Sequence, residues 1–273
     1  MAKDFTNEVE SLEESEIDPE TYKPKILALG NTGAGKSTLG ATFAGKKLLI
    51  DYDGRADSLI GFPNIKVIKV FDGNPTSPKA WTKATDIRKW LWSLARRKDQ
   101  PFPYSFIMEG GLTSMGTYCM YHSLLLDPKR GLGGSPGKQH YGPWIKYMGD
   151  HIRAMHALPC GYFLEGHLNF VEDENTSEMQ VFPKVFGRQF KTELPSIFNE
   201  VWLCHKDRDP KTRKATFWVD TEGSGIYNFF RSALNRRGLY WTSPVSVDLS
   251  EEPAGISKLL QLRFGKKGKG EEK

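Results

Sequence analysis

Residues Gly30 to Thr38 read GNTGAGKST, between the apolar run Lys25–Leu29 and a segment, Lys36–Phe43, that reads as a helix. No other feature restricts the fold as strongly. A G-x4-G-K-S spacing with a strand before it and a helix after it is a phosphate-binding loop. Gly30, Gly33 and Gly35 let the backbone wrap phosphates without Cβ clashes, and amides at the helix start point at the negative charge. Asn31, Thr32 and Ala34 complete the loop. Lys36 is expected to reach the β- and γ-phosphates, Ser37 to hold Mg²⁺ through its hydroxyl, and Thr38 to touch the α-phosphate, with ATP as the nucleotide.

Around the loop, apolar runs alternate with helical periodicity. Lys47–Ile50 and Ile65–Val70 read as strands, and Trp81, Ala84, Ile87, Leu91 and Leu94 mark one helix face. Tyr104–Met108 is a further strand. Asp127–Pro143, crowded with Gly, Pro, Lys and Arg, is a long loop. Trp144, Met148, Ile152 and Met155 mark a second helix, and Gly161–Leu164 another strand, ending near Glu165–His167. This alternation predicts an α/β fold with a mainly parallel sheet and helices on both faces. Beyond Asn169, a hairpin around Asn175-Thr176 and two strands flanking KDRDPKTRK predict an antiparallel C-terminal extension of the same sheet. Three regions follow: an acidic, flexible arm over 1–21, a domain over 22–264 and a flexible Gly/Lys/Glu tail over 265–273.

Composition narrows the function classes. No apolar stretch approaches a membrane span, and no basic-then-apolar leader opens the chain, so a cytoplasmic protein with no membrane role is expected. Cys119, Cys160 and Cys204 form no CxxC pair and read as reduced thiols rather than zinc ligands. The net charge of +5 is uneven, because the first twenty residues are strongly acidic and leave a basic body suited to a polyanionic partner.

Hydrolysis requires a group that positions water and an acid that supports Mg²⁺, and in a parallel sheet both come from the carboxyl ends of strands. Asp51 and Asp53 follow the second strand, Glu109 follows Tyr104–Met108, and His167 follows Gly161–Leu164. Each can equally be a turn former, a cap or a structural histidine.

The order GNTGAGKSTLGATFAGKKLLIDYDG, YSFIMEGGLTSM and ALPCGYFLEGH resembles the RecA-like P-loop ATPases, most closely the compact RecA-fold ATPases of bacteriophages. The resemblance runs from about Tyr22 to Arg236. It implies that Asp53 activates water, that Glu109 joins Ser37 in supporting Mg²⁺ at the Walker B strand end, and that His167 senses the γ-phosphate. Two departures bear on hydrolysis: Glu109-Gly110-Gly111 replaces the usual Asp-Ser, and Asp53 replaces a Glu.

The resemblance also implies nucleotide between subunits of a ring or filament, with Arg231, Arg188 or Lys191 neutralising phosphate charge on a neighbour. It implies single-stranded DNA in two loops, Asp127–Trp144 and Asn169–Lys191. Lys129, Arg130 and Lys138 would meet phosphates there, Tyr141 and Trp144 would stack bases, and Arg188 and Lys191 would add charge. Trp144 also fits the helix's core face. The expected function is a Mg²⁺-dependent ATPase in DNA recombination, repair or annealing, in the host cytoplasm if phage-encoded, with a single-strand-binding protein as a further partner. The alternatives are a P-loop phosphotransferase and an ATPase accessory such as a helicase loader or packaging partner.

Overall fold

A computed structural model describes residues 17–18, 21–72, 77–127, 129, 132, 134–172 and 177–265. Most of the acidic arm, the tail beyond 265, Arg130 and the Asn175-Thr176 turn lie outside the described residues.

Six parallel strands form the centre: β1 (Lys25–Gly30), β2 (Lys47–Asp51), β3 (Ile65–Lys69), β4 (Phe106–Gly110), β5 (Gly161–Gly166) and β8 (Glu200–Arg208). Their order across the sheet is β8-β1-β5-β4-β2-β3, so β5 lies between the strand that enters the glycine loop and the strand that carries Glu109. Beyond β8 the sheet turns antiparallel through β9 (Ala215–Asp220) and β11 (Val245–Ser246), and β10 (Arg231–Ser232) also pairs with β8. The predicted α/β fold with an antiparallel extension is the fold observed. Two details differ. Val201–His205 belongs to the parallel part, and the hairpin β6 (Leu168–Glu172) and β7 (Met179–Pro183) forms its own two-stranded sheet.

Strands covered on both faces lose alternation, which is why Ile26, Leu27, Ala28 and Leu29 are all fully buried. The edge strand β3 is half-exposed and carries Lys66 and Lys69, charges that discourage edge-to-edge pairing. One face packs against α1 (Lys36–Ala41) and α6 (Gly255–Phe264) around Leu39, Phe43, Met108, Phe163 and Ile256. The other packs against α2 (Ala80–Ala95), α3 (Leu112–Leu125) and α4 (Lys138–His156) around Ile107, Met115, Trp144 and Tyr162. α3 escaped the periodicity reading because it is buried almost all round, through Leu112, Met115, Tyr118, Cys119 and Leu124, and so has no polar stripe. α4 begins inside the predicted loop and carries Pro143 in its second turn, where the missing amide leaves the Gln139 carbonyl without its helical donor. All three cysteines are free and buried. No helix among the described residues is long and apolar enough to cross a membrane.

Candidate functional site

β1 ends at Gly30 and α1 begins at Lys36, with the glycine loop between them. Gly33 and Gly35 hold φ of 73° and 82°, left-handed values that a side chain would strain. A Cβ on Gly30 would lie 2.2 Å from the Cys204 carbonyl oxygen, so β8 also fixes the loop's first glycine. Lys36 is 8% exposed and donates from Nζ to the carbonyls of Gly30 and Asn31, both at 2.9 Å. Burial lowers its pKa, and the nearby carboxylates of Glu165 and Asp53 act in the opposite direction.

The acid that meets this loop is Glu165. Ser37 donates its hydroxyl to Glu165 Oε2 at 2.7 Å, while Oε1 is buried with no hydrogen-bond partner among the described residues. Burial raises the Glu165 pKa to about 7, with Asp53 and Asp51 adding to the rise and Ser37 and Lys36 opposing it. Asp51 accepts from the Asp53 and Gly54 amides through Oδ1, which makes it a turn former, yet its Oδ2 is buried and unpartnered. Asp53 itself lines the cavity and accepts a short hydrogen bond from the Ser114 hydroxyl. Gly111, at φ 101°, lies where a Cβ would come 2.7 Å from the Asp53 carboxylate. The additional glycine therefore admits the acid.

The pleat decides which acid faces the loop. Side chains alternate faces along a strand. On β4, Phe106 and Met108 face α1, so Glu109 faces α2 and α4 with Ile107. Glu109 is fully buried there and accepts from the Tyr162 hydroxyl at 2.5 Å and the Tyr52 hydroxyl at 2.8 Å, with His151 Nε2 also at 2.8 Å. Burial pushes its carboxyl up, but His151 and the two phenols more than reverse this and leave the pKa lowered. The expectation that Glu109 supports Mg²⁺ is thus corrected. The β4 residue on the α1 side at that level is Gly110, and Glu165, its register partner on β5, occupies the adjacent position. Glu165 shares the parity of Phe163, a signal the sequence contained.

His167 follows β5, with Nδ1 3.3 Å from the Gly30 carbonyl oxygen, and burial lowers its pKa, as does Lys36. The glycine loop, Asp53, Glu165 and His167 line one cavity of about 340 Å³, joined by Arg55, Ser58 and Phe217, which the sequence reading did not single out. Arg231 does not join it. Its guanidinium donates to the Pro195 and Phe198 carbonyls at 2.7 and 2.8 Å, and with Lys191 it lines a separate depression beside β7.

Among the nucleic-acid candidates, Lys129, Lys138 and Arg188 are exposed. Tyr141 is half-buried against the core, and Trp144 is fully buried, donating its indole N–H to the Gly116 carbonyl at 2.7 Å. Trp144 is therefore a core residue, in keeping with its place on the helix's core face, and is not available to stack bases. Phe186 and Phe190 pack edge-on against Trp144, so the two predicted loop segments meet at its ring.

These residues fit a nucleotide with Mg²⁺. Mg²⁺ is commonly shared between one or two protein oxygens and substrate phosphates, and the Ser37 hydroxyl and Glu165 carboxylate supply such oxygens beside the loop. Ser37 and Glu165 would hold the ion and Lys36 the phosphates. Because Glu165 must lose a proton to meet a cation, Mg²⁺-dependent nucleotide affinity should rise roughly tenfold from pH 6 to pH 8. Glu165→Gln should flatten that rise in a calorimetric titration. In the nucleotide-free protein the sign is opposite: folded Glu165 keeps a proton that the unfolded chain releases near 4.5, so its contribution to stability falls as pH rises from 4.5 to about 7.

Comparison with known proteins gives one finding. A family model described as an AAA domain matches residues 22–225, more than half of the chain. No curated protein matches it.

Proposed function

Because the chain belongs to the AAA domain family, and so carries a P-loop ATPase domain, we propose that it is a Mg²⁺-dependent ATPase acting on DNA in recombination, repair or annealing. It binds single-stranded DNA as a self-assembled ring or filament, in the manner of the phage RecA-fold ATPases that its sequence resembles. The observation that carries the ATPase reading is the Ser37–Glu165 hydrogen bond inside the glycine loop, with Asp53 and His167 lining the same cavity. Lys36 binds and orients the phosphates, Mg²⁺ supplies charge neutralisation, and Asp53 is the carboxylate available to position water.

The DNA reading is supported by the exposed Lys129 and Lys138 in one basic segment and the exposed Arg188 in another, two segments that meet at the Trp144 ring. The phosphotransferase alternative loses support because KDRDPKTRK is the end of β8 and its turn into β9, pinned by Asp209 Oδ1 accepting from the Lys211 and Thr212 amides, rather than a lid. The test is ATP hydrolysis with and without single-stranded DNA, alongside the protein's mass in solution. Stimulation by DNA with a rise in mass is expected. Hydrolysis indifferent to DNA, or phosphate transferred to a small acceptor, would remove the DNA function.

A further inference from the structure

Where the antiparallel extension meets the glycine loop, two side chains lie across it. Lys206 on β8 and Phe217 on β9 are register partners on adjacent strands. A Cβ built on Gly33 would lie 3.3 Å from Lys206 Nζ, and one on Gly35 would lie 2.8 Å from the Phe217 ring. The pair thus flanks the loop on both limbs: Phe217 lines the glycine-loop cavity, and Lys206 lines the depression beside it with Asn31, Thr32 and Ala34. Lys206 is exposed and makes no ion pair among the described residues. Its charge is held against a loop built for phosphates, with no carboxylate of its own to neutralise.

We infer that Lys206 is a second phosphate-binding lysine of this site and discriminates a nucleoside triphosphate from a diphosphate within one chain. The inference rests on the glycine loop binding nucleotide. Lys36 approaches from inside the loop, where its Nζ bonds the Gly30 and Asn31 carbonyls. The limb covered by Phe217 leads to Thr38, the α-phosphate end. The opposite limb, Asn31 to Gly33, which Lys206 flanks, is the end away from Thr38 and so the nearer to the outer phosphates, where ATP carries charge that ADP lacks and a cation strengthens binding of the more charged ligand. The tight fit of Phe217 on Gly35 fixes the distance at which Lys206 stands.

The experiment is calorimetric titration of the parent, Lys206→Ala and Lys206→Arg with ATP and with ADP, each with Mg²⁺, on protein kept monomeric by dilution and checked by mass. Lys206→Ala is expected to weaken ATP about tenfold and ADP less than twofold, and Lys206→Arg to recover most of the difference. Equal loss for both nucleotides, no loss, or a loss seen only in assembled protein would overturn the intrachain role. If the parent binds neither nucleotide, or Lys36→Ala binds as tightly as the parent, the phosphate-loop reading itself fails, which is a separate result.

Discussion

Lys36→Ala is expected to weaken Mg²⁺–ATP binding by about a hundredfold and to abolish measurable hydrolysis, while leaving the protein folded. A hydrogen bond to a charged partner contributes about 1.5–3 kcal/mol, and the upper part of that range corresponds to about a hundredfold in affinity. The fold should tolerate the change because two effects oppose each other. The Gly30 and Asn31 carbonyls lose a donor, but an ammonium that is unfavourably buried leaves with it. Equilibrium titration with ATP and thermal unfolding on the same preparation separate the outcomes. Parent-like binding by the folded variant would remove Lys36 from the phosphate site, and collapse of the fold would make it a structural lysine.

Glu109→Ala should destabilise the protein by about 3–5 kcal/mol, because it removes a fully buried carboxyl together with its three hydrogen bonds. For a domain of this size that lowers the unfolding midpoint by about 10 °C. The deletion takes away the carboxylate that the Tyr52 and Tyr162 hydroxyls and His151 share, in a region with no access to water. The same cage gives an acid-side signature. A carboxyl whose folded pKa is lowered contributes stability that is present above its unfolded pKa and lost as pH falls through the folded one. The parent should therefore lose stability on acidification below about 4.5 more steeply than Glu109→Gln. Thermal melts across that range, paired with Mg²⁺–ATP titration at neutral pH, check both sides. A stable Glu109→Gln that has lost Mg²⁺-dependent affinity would return Glu109 to the metal and contradict the cage.

The contrast between Glu109 and Glu165 marks the limit of what a strand-end reading gives. Both are acids near the carboxyl ends of parallel strands, and the resemblance favoured Glu109 because it stands at the Walker B strand end. One residue of strand boundary decided the matter. β4 extends through Gly110, so Glu109 lies inside the strand and the pleat assigns it a face. A turn residue could have pointed either way. Asp53 and His167 were legible because they follow strands whose ends flank the loop. Lys206 and Phe217 were not, because nothing near them in sequence connects them to the loop: β8 and β9 lie some 170 residues beyond it.

By itself the sequence determined the glycine loop, the α/β alternation and the acids and histidine offered at the strand ends, because these follow from local spacing and from the periods of strand and helix. Tertiary structure alone decided which acid meets Ser37, that Arg231 is bound to backbone carbonyls and that β8 and β9 lie beside the loop. Those outcomes depend on strand order and on side-chain parity across a sheet. The glycine loop is a local motif, but the chemistry around it is assembled from strands far apart in the chain.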